Sequence, residues 1–108
     1  MDLKDKKCVP CEGGVPKLEP KEIAALIGGT PGWTVREEKL NKTFTFKDFF
    51  SAILFINKMA DLAEREGHHP DFCVHYSRVD ISIFTHAVSG LTENDFILAA
   101  KIDTLPRE

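Results

Sequence analysis

Between residues 46 and 66 apolar side chains recur at three- and four-residue steps: Phe46, Phe49, Phe50, Ile53, Leu54, Ile56, Met59, Ala60 and Ala63. That spacing lines one face of an α-helix, and a stripe this broad reads as core rather than as a cofactor box. Thr45, with Asp48 three residues on, resembles a capping box at the start. Gly67 supplies a left-handed stop and Pro70 forbids continuation. Twenty helical residues span about 30 Å, enough to cross a four-stranded sheet diagonally.

On either side the period changes to two. Residues 33–36 and 39–44 read as strands joined across Glu37 and Glu38, with Leu40 and Phe44 sharing one parity. Downstream, Phe72, Val74 and Tyr76 alternate, as do Val79, Ile81 and Ile83. With Ser77 and Arg78 as a two-residue loop, Tyr76 pairs with Val79, Val74 with Ile81 and Phe72 with Ile83. All six then face one side, and a one-residue slip would scatter them. Ser-Arg is not a favoured type I′ loop, so the flanks carry this register. A short helix over 21–27 opens at Pro20 and stops at Gly28 and Gly29. A last helix starts at Thr92, with Asp95 three residues later, and runs through Phe96, Ile97, Ala99, Ala100 and Ile102 toward Pro106. Residues 1–17 read as a flexible arm carrying Cys8-x-x-Cys11, and 18–108 as one domain. The order α-β-β-α-β-β-α predicts an α+β two-layer sandwich: a four-stranded antiparallel sheet with about three helices on one face.

Composition narrows the function classes. A chain of 108 residues, 43% hydrophobic, supports one core. A net charge of -3 gives no nucleic-acid footprint and no attraction to an anionic membrane. No apolar run approaches the roughly 20 residues of a membrane span, and the charged first seven residues lack the apolar stretch of a secretory signal. A cytoplasmic protein is the expectation. Three cysteines argue against a disulfide framework. Cys8 and Cys11 have half the ligands of a closed zinc site, and no second pair exists.

The histidines carry the chemistry. Histidine gives or takes a proton near neutrality, its free pKa being about 6.5. Extending the hairpin register sets His69 opposite His86, where directly opposed Cβ atoms lie about 5 Å apart. His68 immediately precedes it, at the C-terminus of the long helix. Three imidazoles are thereby gathered at one rim of the sheet, around a space for a planar ligand. Each residue alone has a plainer reading. His68 suits the negative end of a helix dipole, and His75 falls opposite Asp80 as an exposed ion pair. Asp95 caps its own helix, and Glu64 lies on a solvated face beside an Asp61–Arg65 i,i+4 pair. The joint placement of His68, His69 and His86 is harder to dismiss.

Glu64-Arg65-Glu66-Gly67-His68-His69-Pro70, then the strand pair, then Thr85-His86 and Gly90-Leu91-Thr92-Glu93-Asn94-Asp95 closely resemble the pterin-4a-carbinolamine dehydratase family. The resemblance runs over roughly residues 20–105, including Gly32-Trp33, and the Cys8-x-x-Cys11 arm looks like that of bacterial members. Phe72 departs from the Trp that several members carry there. The resemblance implies dehydration of 4a-hydroxytetrahydropterin to quinonoid dihydropterin, recycling the cofactor of aromatic amino-acid hydroxylases. It implies His68, His69 and His86 as catalytic imidazoles, and Glu64, Pro70 and Asp95 as substrate-binding or supporting residues. It also implies no metal and no cofactor beyond the pterin substrate.

Two other readings compete. Some animal relatives dimerise with a transcription factor and act as coactivators, which would make this chain a protein-binding module without catalysis. A metal centre built from His68, His69, His75 and His86 is the other, although adjacent histidines rarely share one ion comfortably. Phe84 and Cys73, on the face away from the core, leave apolar surface for a second subunit. A homodimer or homotetramer is expected, as in the family.

Overall fold

The structure is a computed structural model describing residues 2–9 and 15–107. Seven elements follow in chain order: α1 (Pro20–Leu26), β1 (Thr34–Arg36), β2 (Lys39–Thr45), α2 (Phe49–Glu66), β3 (Asp71–His75), β4 (Arg78–Ile83) and α3 (Glu93–Asp103). The strands form one antiparallel sheet in the order β1-β2-β4-β3. This is the expected α+β arrangement.

Alternation fixes the buried face. Leu40 and Phe44 on β2 and Val79, Ile81 and Ile83 on β4 are buried, while Asn41, Thr43, Asp80 and Ser82 bond to one another on the other face. From α2 come Ala52, Phe55, Met59 and Leu62, and from α3 Phe96, Leu98, Ala99 and Ile102, all in one core with Trp33. Trp33 satisfies its indole N–H on the Asp103 carboxylate at 3.1 Å. Lys42 shares the buried parity, which its sequence position does not explain. Its ammonium reaches the same Asp103 at 2.8 Å and lies over the Phe44 ring, so the charge is paired rather than stranded.

Three local expectations are corrected. First, the long helix starts at Phe49, not at 46. Asp48 is the cap, its side chain accepting from Ser51 N–H at 2.8 Å, whereas Phe46 N–H donates to Ser77 O. Second, the β3–β4 register is displaced by two residues. Val74 pairs with Val79 and Phe72 with Ile81, and the loop is Tyr76-Ser77 with Tyr76 left-handed at φ 55°. A two-residue displacement preserves which face each side chain takes, so hydrophobic alternation cannot detect it. Phe72, on the edge strand β3, and Tyr76, in the loop, are exposed instead of joining the core. Third, residues 2–9 are not a loose arm. They form a short 3₁₀ turn at Leu3–Asp5 and pack along α3, burying Cys8. Cys11, the other half of the paired-cysteine motif, lies outside the described residues.

Candidate active site

Three chain segments meet at one end of the sheet. The first is the end of α2. Gly67 takes φ 67°, and both its N–H and that of His68 reach back to Ala63 O. This left-handed stop is the conformation glycine adopts without strain. It turns the chain so that His68 is buried and His69 is exposed.

The second segment leaves β4. Thr85 and Gly90 bond to each other across a 3₁₀ turn, His86–Val88, with Thr85 N–H on Gly90 O at 2.8 Å. The third is the first turn of α3, closed by a reciprocal Thr92–Asp95 capping box as the sequence predicts.

Asp95 joins all three. Its carboxylate is fully buried. Oδ1 lies 2.6 Å from His68 Nε2, while Oδ2 accepts from Thr85 Oγ1 at 2.9 Å and from Thr92 N–H at 2.8 Å. The carboxylate therefore orders the imidazole so that Nε2 carries the proton, as an acceptor partner requires. The hydroxyls of Thr85 and Thr92 stand 3.0 Å apart. Since Thr85 gives its proton to Asp95, Thr92 donates to Thr85. A buried carboxylate is tolerable only with such a complete set of donors, and among the described residues no buried side-chain polar atom lacks a partner.

A second imidazole–carboxylate pair stands in the open. His69 Nε2 lies 2.6 Å from Glu64 Oε2, one turn back on α2, and both side chains are exposed. Beside them Pro70, Phe72, Met59 and Ala63 complete a small pocket of about 150 Å³ with a largely apolar wall.

His86 is exposed at the head of its turn, its ring against that of Phe84 at 4.2 Å between centroids and tilted by 49°. Lys39 Nζ lies 4.8 Å from that same Phe84 ring. The displaced register, extended outward, sets His69 opposite Phe84 rather than opposite His86. The three imidazoles are thus tied to this end of the sheet by separate partners, not by direct strand opposition. His75 pairs in register with Arg78, yet its Nε2 still reaches Asp80 Oδ2 at 3.5 Å on the outer face. It lies outside the site, and among the described residues no three His, Cys, Asp or Glu side chains converge as metal ligands.

Thr85 has a part in this site that sequence reasoning did not assign. The only available signal was its place immediately before His86, together with the need of a buried Asp95 for more than one donor.

Residues 16–105 match the model of a family described as pterin 4 alpha carbinolamine dehydratase. A relative from Rubrobacter xylanophilus is 47% identical, over 96% of this chain and 98% of its own length, and one from Rickettsia bellii is 53% identical over 95% and 93%. Both carry pterin-4-alpha-carbinolamine dehydratase as a provisional name. A crystal structure from Brucella melitensis, described as a transcriptional coactivator/pterin dehydratase, superposes with a TM-score of 0.78. It is 33% identical and covers 82% of this chain and 96% of its own. A pterin dehydratase-like RuBisCO assembly factor of the alpha-carboxysome shares the fold at 24% identity and a TM-score of 0.55.

Proposed function

This chain belongs to the pterin 4 alpha carbinolamine dehydratase family, and we propose that it dehydrates 4a-hydroxytetrahydropterin by histidine acid–base catalysis. The reaction class is that of a hydro-lyase. The reading rests above all on the His68–Asp95 contact, 2.6 Å long and buried. A histidine whose proton and orientation are fixed by a sequestered carboxylate is a poised acid–base group. His69 with Glu64 repeats the arrangement next door, open to solvent.

Dehydration breaks the bond between C4a and its hydroxyl oxygen. That oxygen takes one proton and leaves as water, while a ring nitrogen gives up another and forms the new C=N bond. One imidazole serves as acid and another as base. With Nε2 committed to a carboxylate in His68 and His69, Nδ1 is the nitrogen that exchanges with substrate. His86 supplies the third imidazole, its ring resting at a tilt against Phe84. Pro70 and Phe72 offer a planar pterin an apolar wall. The proton transfers need no metal and no cofactor other than the substrate. The product, quinonoid dihydropterin, is the form that a separate two-electron reduction, not carried out by this protein, converts to the tetrahydropterin used by aromatic hydroxylases.

The protein works as a homodimer or homotetramer in this reading. β3 is an edge strand with Phe72 exposed upon it, and Tyr76 is exposed in the loop that follows. No helix among the described residues is long and apolar enough to cross a membrane.

The test is a dehydration assay on freshly generated 4a-carbinolamine with wild type, His68→Ala, His69→Ala and His86→Ala. Losses of at least about tenfold are expected for each. Undiminished rates in all three would remove the histidines from the mechanism. Turnover absent in wild type, with a stoichiometric protein partner captured instead, would favour the binding-module reading.

A further inference from the structure

The histidine mechanism requires the end of α2 and the start of α3 to hold a fixed separation, and a second linkage runs between those same two segments. Cys8 N–H donates to Glu66 Oε1 at 2.9 Å, and Glu66 is the last residue of α2, two before His68. The next residue, Val9, is gripped at both backbone atoms by one side chain. Its N–H donates to Asn94 Oδ1 at 3.0 Å, and its carbonyl accepts from Asn94 Nδ2 at 2.7 Å. Asn94 immediately precedes Asp95.

We propose that residues 8 and 9 form a positioning clamp that sets the distance between His68 and Asp95, acting through Glu66 and Asn94.

The clamp rests on the acid–base reading of His68 and adds to it residues that touch no substrate. Its construction costs too much to be incidental packing. Glu66 is a carboxylate with 8% of its side chain exposed, and what satisfies it is the Cys8 N–H together with Lys101 at 3.6 Å and Lys7 at 3.9 Å. Asn94 is likewise buried. A pair of hydrogen bonds to the N–H and C=O of one residue fixes direction as well as distance, which a single contact does not. Cys8 closes the gap between these partners, its Sγ 3.6 Å from Asn94 O. Its thiol is pushed up to about 12, first by burial and then by the Glu66 charge, with Asp95 adding to the effect. The thiol therefore stays neutral beside two carboxylates, which a thiolate there would repel.

Geometry gives the expected size of the effect, because a misplacement of ~1 Å in a catalytic group can cost about 10²-fold in rate. The test uses the full chain with Asn94→Ala and Val9→Pro. The second removes the donor to Asn94 Oδ1 while leaving α3 intact, and Val9 has an exposed side chain, so it serves where Asn94→Ala fails to fold. Assays are run below the onset of each variant's melt. Loss of about tenfold or more in kcat is expected with KM nearly unchanged, alongside broadening of the low-field proton resonance of His68 Nε2–H. Val9→Ala, which keeps the backbone donor and acceptor, should restore both. Wild-type kcat and an unaltered His68 resonance in Val9→Pro would overturn the clamp. The resonance tests it separately from the mechanism: should His68→Ala remain fully active, the acid–base reading fails, and the resonance still decides whether the clamp holds the pair.

Discussion

His68 and Asp95, 27 positions apart in sequence, meet at 2.6 Å inside the protein, and the same carboxylate caps the helix that carries it. One side chain thus does two jobs, helix initiation with one oxygen and imidazole orientation with the other. His68→Ala and Asp95→Asn should both lose about 10²–10⁴-fold in dehydration rate. Both should also lose stability, by about 1–3 kcal/mol. His68→Ala strips the buried Asp95 Oδ1 of its partner, whereas Asp95→Asn turns an amide N–H toward His68 Nε2 and forces the imidazole into its other tautomer. Rates of turnover and thermal melts on the two variants check this.

Thr85 is a positioning residue, reaching the imidazole through Asp95. Thr85→Val keeps the shape and removes the hydroxyl, so the rate should fall with little change in KM. Thr85→Ser should recover most of it. Equal rates in Thr85→Val and wild type would show that Oδ2 needs no hydroxyl partner.

The exposed pair should behave differently from the buried one. Glu64→Gln is expected to change stability by less than about 1 kcal/mol, since exposed ion pairs contribute little and are screened by salt. His69→Ala is expected to be equally harmless to the fold while lowering the rate. A denaturant titration beside the assay separates the two effects.

The clamp also predicts how stability depends on pH. Burial alone would raise the Glu66 carboxyl, but the Cys8 N–H, Lys101 and Lys7 outweigh it and hold the group below its ordinary value. A depressed acid contributes stability above its unfolded pKa and loses it as pH falls through the folded value. Glu66→Gln should therefore flatten the acid limb, below about pH 4.3. Cys8 acts at the other end. Its thiol is held up at about 12 in the fold, whereas the unfolded chain ionises near 9, so stability falls as pH rises between them. Cys8→Ala should flatten that alkaline limb. Identical pH profiles for wild type and both variants would contradict the assignment.

A self-associated state is expected from the open β3 edge. Sedimentation at micromolar concentration should give a dimer or tetramer mass, and a monomer would contradict it.

How far the sequence reached differs from element to element. The helical period of α2, the Gly67 stop and the Thr92–Asp95 box were legible because each depends on neighbours within four residues. The stripe read as core was partly misplaced: Phe49, Phe50 and Ala60 are exposed, while Ala52, Phe55 and Leu62 are buried beside Met59 and Ala63. The buried face of the sheet was legible because alternation encodes parity. Parity was also the limit. It could not separate the two registers that place Val74 opposite Val79 or opposite Ile81, and the choice fell to the Tyr76-Ser77 loop and to Phe46 bonding with Ser77 O. The arm was opaque for a related reason. Nothing around Cys8 and Val9 in sequence announces that Glu66 and Asn94, 58 and 85 positions away, supply their partners.

The sequence by itself determined the elements, the sidedness of the sheet and the inventory of histidines and carboxylates, because local hydrogen bonding and hydrophobic period act over a few residues. Only the tertiary structure decided that Asp95 serves His68, that Thr85 ties the turn of His86 to that pair, and that residues 8 and 9 brace it. Those pairings arise when distant segments are packed together, where each buried polar group must find whichever donor or acceptor the fold brings within reach.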